Sequence, residues 1–274
     1  MYYAKSAIGF RKFNAFIMKK IFAKYQTTSR ILRLESQEDF KIGEKILIDT
    51  GQGIEVAVVC RAKEKEVEKC EDKILRQMTD EDRGKLKALR EKDQKAFSFC
   101  KQRIGLLRLP MKLVQAQHSL DEKKLTFYFI AEERIDFREL LSQLISNFHK
   151  NIRLQQLGAR DAAKMIKGIG PCGRTLCCQN FLENIDSVTL EMAKEQDLAA
   201  VGSNKISGSC GKLMCCLSFE VDVYEKMRQK MPKINDKIET KKGKGTVLAQ
   251  NILKQTVLVL LEDGSKIEEE IYTK

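Results

Sequence analysis

Short apolar runs separated by polar residues and glycines predict β-structure near the N-terminus. Within residues 31–62, two runs rich in β-branched residues, Lys45–Asp49 and 54–60, flank the glycine-containing turn at 50–53. Such runs on either side of a tight turn favour a hairpin. We therefore predict that the hairpin belongs to a small sheet or barrel.

A helical pattern follows in residues 63–103, which are dense in lysine and glutamate. Apolar side chains recur there at helical spacing, which predicts one buried stripe. The charged residues are then the solvated face of that helix. The stripe consists of Leu86, Leu89, Ala96, Phe99 and Cys100.

Two strands, a helix and a third strand are predicted in residues 109–157. The strands 111–118 and 125–131 are joined by a polar connection, and a third strand begins at Ile152. Asp136 and Glu139 have the spacing of a capping box, with Asp136 as the N-cap. The helix that follows them carries an apolar stripe at i, i+3, i+4 and i+7 spacing. The predicted stripe is Phe137, Leu140, Leu141, Leu144, Ile145 and Phe148.

The C-terminal residues again predict strands, at 236–240, 245–249, 256–260 and 266–268. The last two strands are joined through Asp263-Gly264, a preferred tight-turn dipeptide. Four short strands in succession favour a small SH3-like β-barrel. Such barrels are often binding modules, but the fold alone does not define a ligand.

Together these patterns predict an α+β protein with four parts. An N-terminal basic segment and β-rich unit covers residues 1–62, and a central α-β-β-α-β unit covers residues 63–160. A cysteine-rich module covers residues 161–230, and the small barrel covers residues 231–274.

Composition indicates an intracellular globular protein. The 274 residues are 43% hydrophobic and 32% charged, with three prolines and no tryptophan. No apolar run is long enough to span a bilayer. Residues 1–30 are basic and lack the continuous apolar stretch of a secretory signal, so we expect a docked helix or strand there, with a membrane- or partner-binding helix as the alternative. The protein is expected to be cytoplasmic, with reduced thiols.

A net charge of +12 would suit an anionic partner such as RNA. The basic residues are spread thinly, however, and no aromatic-rich platform accompanies them as in single-strand binders. We therefore expect at most weak, phosphate-dominated RNA contact, without sequence specificity.

A repeated cysteine motif, C-G-(R/K)-x-(L/M)-C-C, indicates the chemistry of the chain. It occurs at residues 172–178 and again at 210–216, and it contains six of the nine cysteines. Clustered thiolates bind iron and zinc, and a glycine lets the backbone fold around the ion. The spacing does not by itself name the metal. The candidate ligands are Cys172, Cys177, Cys178, Cys210, Cys215 and Cys216.

Three other interpretations of these cysteines remain open. Cysteine is often a small buried hydrophobic residue, but two matching heptapeptides are not expected by chance. Disulfides are disfavoured in a reducing compartment, and a redox dithiol needs only two of the six thiols. Cys60, Cys70 and Cys100 lie outside the motif and are interpreted as structural.

A thiol enzyme is also disfavoured, because catalysis by cysteine usually needs a neighbouring base or a lowered thiol pKa. The two histidines, His118 and His149, end a strand and a helix and have local roles in this interpretation. Between the two cysteine motifs, residues 186–198 predict a helix capped by Ser187 or Asp186.

Several motifs resemble the bacterial RicT (YaaT) family. They are residues 136–140, the segment Leu157-Gly158-Ala159-Arg160-Asp161, the glycine-rich approach and first cysteine motif at 168–178, residues 192–196, and the second motif with its approach at 205–217. The resemblance implies a polymerase-suppressor C-terminal domain over roughly residues 75–160. It is most specific across residues 137–220 and leaves the role of residues 1–30 open.

The resemblance implies a non-enzymatic cytoplasmic protein that assembles with RicA-like and RicF-like partners and holds a [4Fe–4S] cluster. The complex would act with RNase Y in mRNA maturation, with roles in sporulation, competence and biofilm formation. The family's cysteine pattern corresponds to the six candidate ligands, which exceed the four that one cluster needs. The alternative is a zinc-stabilised nucleic-acid-binding regulatory protein.

Overall fold

The computed structural model describes residues 19–25, 31–61, 68–69, 71–182, 185, 187–198 and 200–271. Its helices and sheets confirm the predicted α+β class. The chain forms two compact units, Met1–Leu157 and Gly158–Lys274. The boundaries of the four predicted parts remain a prediction.

The first unit contains a six-stranded sheet near its N-terminus. The strands are β1 (Lys19–Tyr25), β2 (Ile31–Ser36), β3 (Lys45–Asp49), β4 (Ile54–Val59), β5 (Glu68–Lys69) and β6 (Lys73–Gln77), in the order β5-β2-β1-β4-β3-β6. The predicted hairpin is confirmed, because β3 and β4 are antiparallel and Asp49 pairs with Ile54. In the basic N-terminal segment, residues Lys19–Tyr25 form strand β1 of this sheet. Residues 1–18 lie outside the described ranges.

The helix predicted over 63–103 is shorter at its start, since α1 spans Asp80–Leu106. A capping box defines this start: the Thr79 side chain accepts from the Asp82 backbone N–H, and the Asp82 carboxylate accepts from the Thr79 backbone N–H. Arg76, in β6, also donates to the Asp82 carboxylate at 2.6 Å. The prediction of a helix was wrong for residues 73–77, which pair with β3. Its part at residues 63–67 lies outside the described residues.

The predicted α-β-β-α-β unit is confirmed. Helix α1 is followed by β7 (Lys112–His118), β8 (Lys124–Ile130), α2 (Arg138–Phe148) and β9 (Asn151–Gln156). Strand β8 is central, antiparallel to β7 and parallel to β9. Both helices contribute to one apolar core with the sheet, formed by Ala96, Cys100, Ile104, Leu113, Ala116, Leu125, Phe127, Leu140 and Leu144.

Two details of α2 differ from the sequence prediction. Its N-cap is Phe137, which makes no capping side-chain hydrogen bond. Asp136 instead binds the Arg138 guanidinium and backbone N–H, and this hydrogen bonding lowers the pKa of Asp136 to about 2. Ile145, predicted to be buried, is 46% exposed because the stripe that meets the sheet is narrower than the apolar pattern.

Both histidines occupy the predicted ends of their elements. His118 ends β7 and is buried, with its Nδ1 2.7 Å from the Asp93 carboxylate. His149 follows α2 in a left-handed conformation, where it closes the helix. These positions fit local structural roles.

The described residues of the second unit form four α-helices and a C-terminal sheet. The helices are α3 (Ala159–Ile166), α4 (Cys177–Asn180), α5 (Leu190–Glu195) and α6 (Cys215–Arg228). The helix predicted at 186–198 is therefore α5, which is shorter than expected and is capped by Thr189 rather than by Ser187. Asp186 lies outside the described residues. Within the described ranges, no helix combines the length and apolar character needed to cross a membrane.

The C-terminal sheet is an antiparallel meander compatible with the predicted small barrel. Its strands are β10 (Lys237–Thr240), β11 (Gly243–Asn251), β12 (Thr256–Leu261) and β13 (Lys266–Glu270), in sequential order. Their core includes Val247, Val257 and Val259. Tyr224 and Met227, near the end of α6, pack against it.

Candidate metal centre

The two cysteine motifs fold into the same hairpin. In the first, the Gly170 N–H donates to the Arg174 carbonyl at 2.8 Å, and the Gly173 N–H donates to the Gly170 carbonyl at 2.9 Å. The second repeats both bonds at the same distances, from Gly208 to Lys212 and from Gly211 to Gly208. The sequence repeat is therefore a repeat of local structure.

A glycine at the second motif position is required by the backbone. Gly173 has a φ of 77° and Gly211 has a φ of 76°. This left-handed conformation follows a β-turn in each hairpin and disfavours residues with a Cβ atom. The glycine thus lets the chain turn sharply directly after Cys172 and Cys210.

Each hairpin leads directly into a helix whose first two residues are cysteines. Cys177 and Cys178 begin α4, and Cys215 and Cys216 begin α6. The first turn of a helix has backbone N–H groups without intrahelical acceptors. In the longer α6, this positive end opposes part of the rise in pKa that burial causes at Cys215 and Cys216.

All six motif cysteines line one cavity of about 60 Å³. Both hairpins form its walls, and the Ser209 hydroxyl of the second donates to the Ile169 carbonyl beside the first at 3.4 Å. Cys178 is buried at the inner side, whereas Cys172 is exposed. The cavity therefore has a closed side and an open side.

The thiols are close enough to influence one another electrostatically. Burial raises the pKa of Cys178, the Cys215 thiolate raises it further, and Lys164 lowers it. Burial also raises the pKa of Cys215. The Arg160 charge opposes this rise, whereas the Cys210 and Cys177 thiolates add to it. These influences cross from one motif to the other. A cation held between the hairpins would relieve this mutual repulsion.

The donor set suits a soft metal group. Zinc and [4Fe–4S] clusters both bind cysteine thiolates, and four thiolates are enough for either. Among the described residues, no group of three or more histidine, cysteine, aspartate or glutamate side chains is already arranged around a single-ion position. The six thiols therefore suit either metal group by their chemistry.

The other two cysteines among the described residues, Cys60 and Cys100, lie outside the cavity. Cys100 is buried in the core of the first unit, and burial raises its pKa to about 12, so it is an inert thiol. Cys60 follows β4, and its backbone N–H donates to the Phe22 carbonyl at 2.9 Å. Cys70 lies outside the described residues.

Sequence reasoning gave no role to two features of the second unit. Helix α3 contributes Ala163 to the cavity lining, and its Arg160 and Lys164 act electrostatically on the thiols. The Leu157–Asp161 segment that carried the family resemblance was the available signal. The second feature is Phe181 and Phe219, each four residues after the first cysteine of its CC pair, whose rings contact each other at 5.3 Å.

Comparison with known protein families identifies two domains of PSP1-like proteins in the chain. The model of the PSP1 C-terminal conserved region matches residues 72–157, and this match confirms the domain expected over roughly 75–160. The model described as PSP1-like protein, third domain, matches residues 187–231, which include the second hairpin and α6. The chain is also 43% identical over 47 residues to Protein PSP1 of Saccharomyces cerevisiae, which covers 17% of this chain and 6% of that protein.

A longer match defines the family. The chain is 39% identical over 229 residues to Stage 0 sporulation protein YaaT of Bacillus subtilis, and the match covers 82% of each chain. The chain therefore belongs to the YaaT (RicT) family, as the sequence motifs indicated. No solved structure matches it.

Proposed function

We propose that this protein is a non-catalytic regulatory subunit whose motif cysteines hold a [4Fe–4S] cluster. The observation that carries the proposal is the convergence of all six thiols on one cavity. Four thiolates complete one cluster, so two of the six are left for a second site or for a site shared with a partner chain. When bound, a cluster supplies one-electron redox chemistry.

The cavity lining supports a binding role over thiol catalysis. The described residues that line it include no histidine, aspartate or glutamate. A nucleophilic cysteine needs an adjacent base or a lowered pKa, whereas burial raises the pKa of Cys178, Cys215 and Cys216. At neutral pH these thiols are therefore protonated and poor nucleophiles. A metal that binds them would displace their protons and bind the thiolates.

We also propose that the protein works in the cytoplasm, within a complex with RicA-like and RicF-like proteins that acts with RNase Y in mRNA maturation. Membership of the YaaT family supports this proposal, and its named relative is a sporulation protein. Effects on sporulation, competence and biofilm formation would follow from altered transcripts. Weak RNA contact remains a prediction from the net charge of +12.

An exposed aromatic pair supports assembly with a protein partner. The Phe181 and Phe219 rings meet edge to face, yet they remain 53% and 58% exposed. Val223, one turn further along α6, is 50% exposed, and the acidic residues Glu220 and Asp222 flank this apolar stripe. A protein surface that is apolar with a basic rim would complement this stripe. A nucleic acid would fit less well, because the two carboxylates repel its phosphates.

Replacing Phe219 by serine should weaken the hetero-complex about tenfold or more, because an exposed aromatic anchor contributes strongly to an interface. Co-purification of the variant with RicA-like and RicF-like proteins, followed by size measurement, checks this. Leu253→Ser is the matched control, because Leu253 is 66% exposed in the turn between β11 and β12. Equal complex formation by the two variants would place the partner on another surface.

Anaerobic purification with metal and sulfide analysis tests the cluster directly. We expect iron with acid-labile sulfide and a broad visible absorption, which is lost on exposure to air. Stoichiometric zinc without colour would instead support the zinc-stabilised alternative. A wild-type protein that binds neither metal after anaerobic reconstitution would overturn both versions of the proposed function.

A further inference from the structure

Helix α3 carries two basic side chains close to residues that line the thiol cavity. Arg160 and Lys164 are four residues apart, so they lie on one face of the helix, and Ala163 beside them lines the cavity. Lys164 also pairs with Asp161 at 3.8 Å. The positive charge of Arg160 lowers the pKa of Cys215 in the second motif, and that of Lys164 lowers the pKa of Cys178 in the first, against the rise that burial causes. Each motif therefore has one cation of α3 near a thiol.

Arg160 holds the second hairpin through one of its terminal nitrogens. Its Nη2 group donates to the Leu213 carbonyl at 3.1 Å, and Leu213 lies two residues before Cys215. Leu213 and Cys215 both line the cavity. This hydrogen bond fixes the backbone just where the chain enters α6.

The Nε atom of the same guanidinium is a buried donor without an acceptor among the described residues. A buried N–H group without an acceptor costs about 1–3 kcal/mol, so native structures rarely leave one unsatisfied. Sulfur accepts such hydrogen bonds, and hydrogen bonds to metal-bound sulfur tune a cluster. A metal-bound sulfur in the thiol cavity would supply the acceptor that this Nε–H group lacks.

We propose that Arg160 is a positioning residue for the metal group held by the six thiols. Its Nη2 group anchors the Leu213 carbonyl while its Nε–H donates to a metal-bound sulfur. Together with Lys164 it offsets the excess negative charge that several thiolates bring to one metal group. This inference rests on the proposed function, because it requires that a metal group is bound.

The two proposed hydrogen bonds, to the Leu213 carbonyl and to a metal-bound sulfur, require an arginine rather than a lysine at position 160. A guanidinium is a rigid planar fork that directs separate N–H groups to two acceptors, whereas a lysine ammonium is a single point charge on a flexible chain. Arg160→Lys therefore keeps the charge but loses the paired hydrogen bonds. The two substitutions Arg160→Gln and Arg160→Lys separate these contributions.

The test compares reconstituted wild-type protein with Arg160→Gln, Arg160→Lys and Arg90→Gln. Arg90 is the matched control, because it is an exposed arginine on α1, outside the residues that line the cavity. The measurement is the rate at which each protein loses its metal to a chelator, together with the reduction potential where iron is bound. We expect about tenfold faster loss from both Arg160 variants, which is the usual effect of removing a hydrogen bond to a metal ligand, and a more negative potential. Arg90→Gln should remain within about twofold of wild type.

The outcomes separate this inference from the proposed function. Wild-type protein that binds no metal overturns both. Metal-loaded wild type with unchanged rates in the Arg160 variants overturns only the role of Arg160. Full recovery of retention and potential in Arg160→Lys overturns the paired hydrogen bonds, because charge alone would then suffice.

Discussion

Serine in place of Cys177 or Cys215 is expected to abolish cluster binding. Each residue is the first of its helix, and both line the shared cavity. A serine hydroxyl is a harder ligand that hardly ionises at neutral pH, so it does not replace a thiolate on iron or zinc. Iron and sulfide per chain should fall to less than about a tenth of the wild-type value, with loss of visible absorption. Complex assembly that depends on the cluster should be lost as well.

Cysteines outside the cavity provide the controls for this experiment. Cys60→Ser and Cys100→Ala remove thiols from the first unit, and both variants should keep the full metal content. Cys100 is fully buried, so alanine is the better replacement there. Far-UV circular dichroism should show that Cys177→Ser keeps the α-β-β-α-β unit, whose core contains none of the motif thiols. Full iron in Cys177→Ser together with loss of iron in Cys100→Ala would place the site elsewhere.

The central unit was predictable because its pattern is local and strongly periodic. Strands β7 and β8 and the α2 stripe follow from apolar spacing in a single segment, and Leu140 and Leu144 are fully buried as expected. The start of α1 was not predicted, because residues 73–77 have the same charged composition as the helix. Their strand conformation depends on pairing with β3, a long-range contact that local composition does not record.

The candidate site also has one part that the sequence predicts and another part that only the structure shows. The cysteine repeat and its turn glycines are visible in the sequence, because each motif folds as one local hairpin. What surrounds the thiols is not visible there, since Arg160 and Leu213 meet only when α3 packs beside the second hairpin. The exposed Phe181 and Phe219 extend the repeat to C-C-x-x-F, a signal that sequence alone contained.

Helix α6 links the candidate site to the C-terminal sheet. It begins with Cys215 and Cys216, and near its end Tyr224 and Met227 pack against the sheet core. Its last residue, Arg228, donates to the Glu195 carbonyl at 2.9 Å and to the Gln250 side chain at 3.0 Å. The sheet therefore supports the end of the helix whose beginning carries two candidate ligands.

Gly245→Ala is expected to disrupt that sheet. An added Cβ atom would lie 2.5 Å from the Leu260 carbonyl oxygen and 2.6 Å from a Val259 methyl group in the neighbouring strand β12. Relief of this overlap requires the backbones of β11 and β12 to separate, at a cost of about 3 kcal/mol or more in the free energy of unfolding. Chemical denaturation measures this loss, and hydrogen exchange should show it first in β10, β11 and β12. Gly202→Ala is the control, because its added Cβ meets no atom within 4 Å and its φ of −52° is open to alanine. Equal stability of the two variants would mean that β11 and β12 do not pack as closely as described.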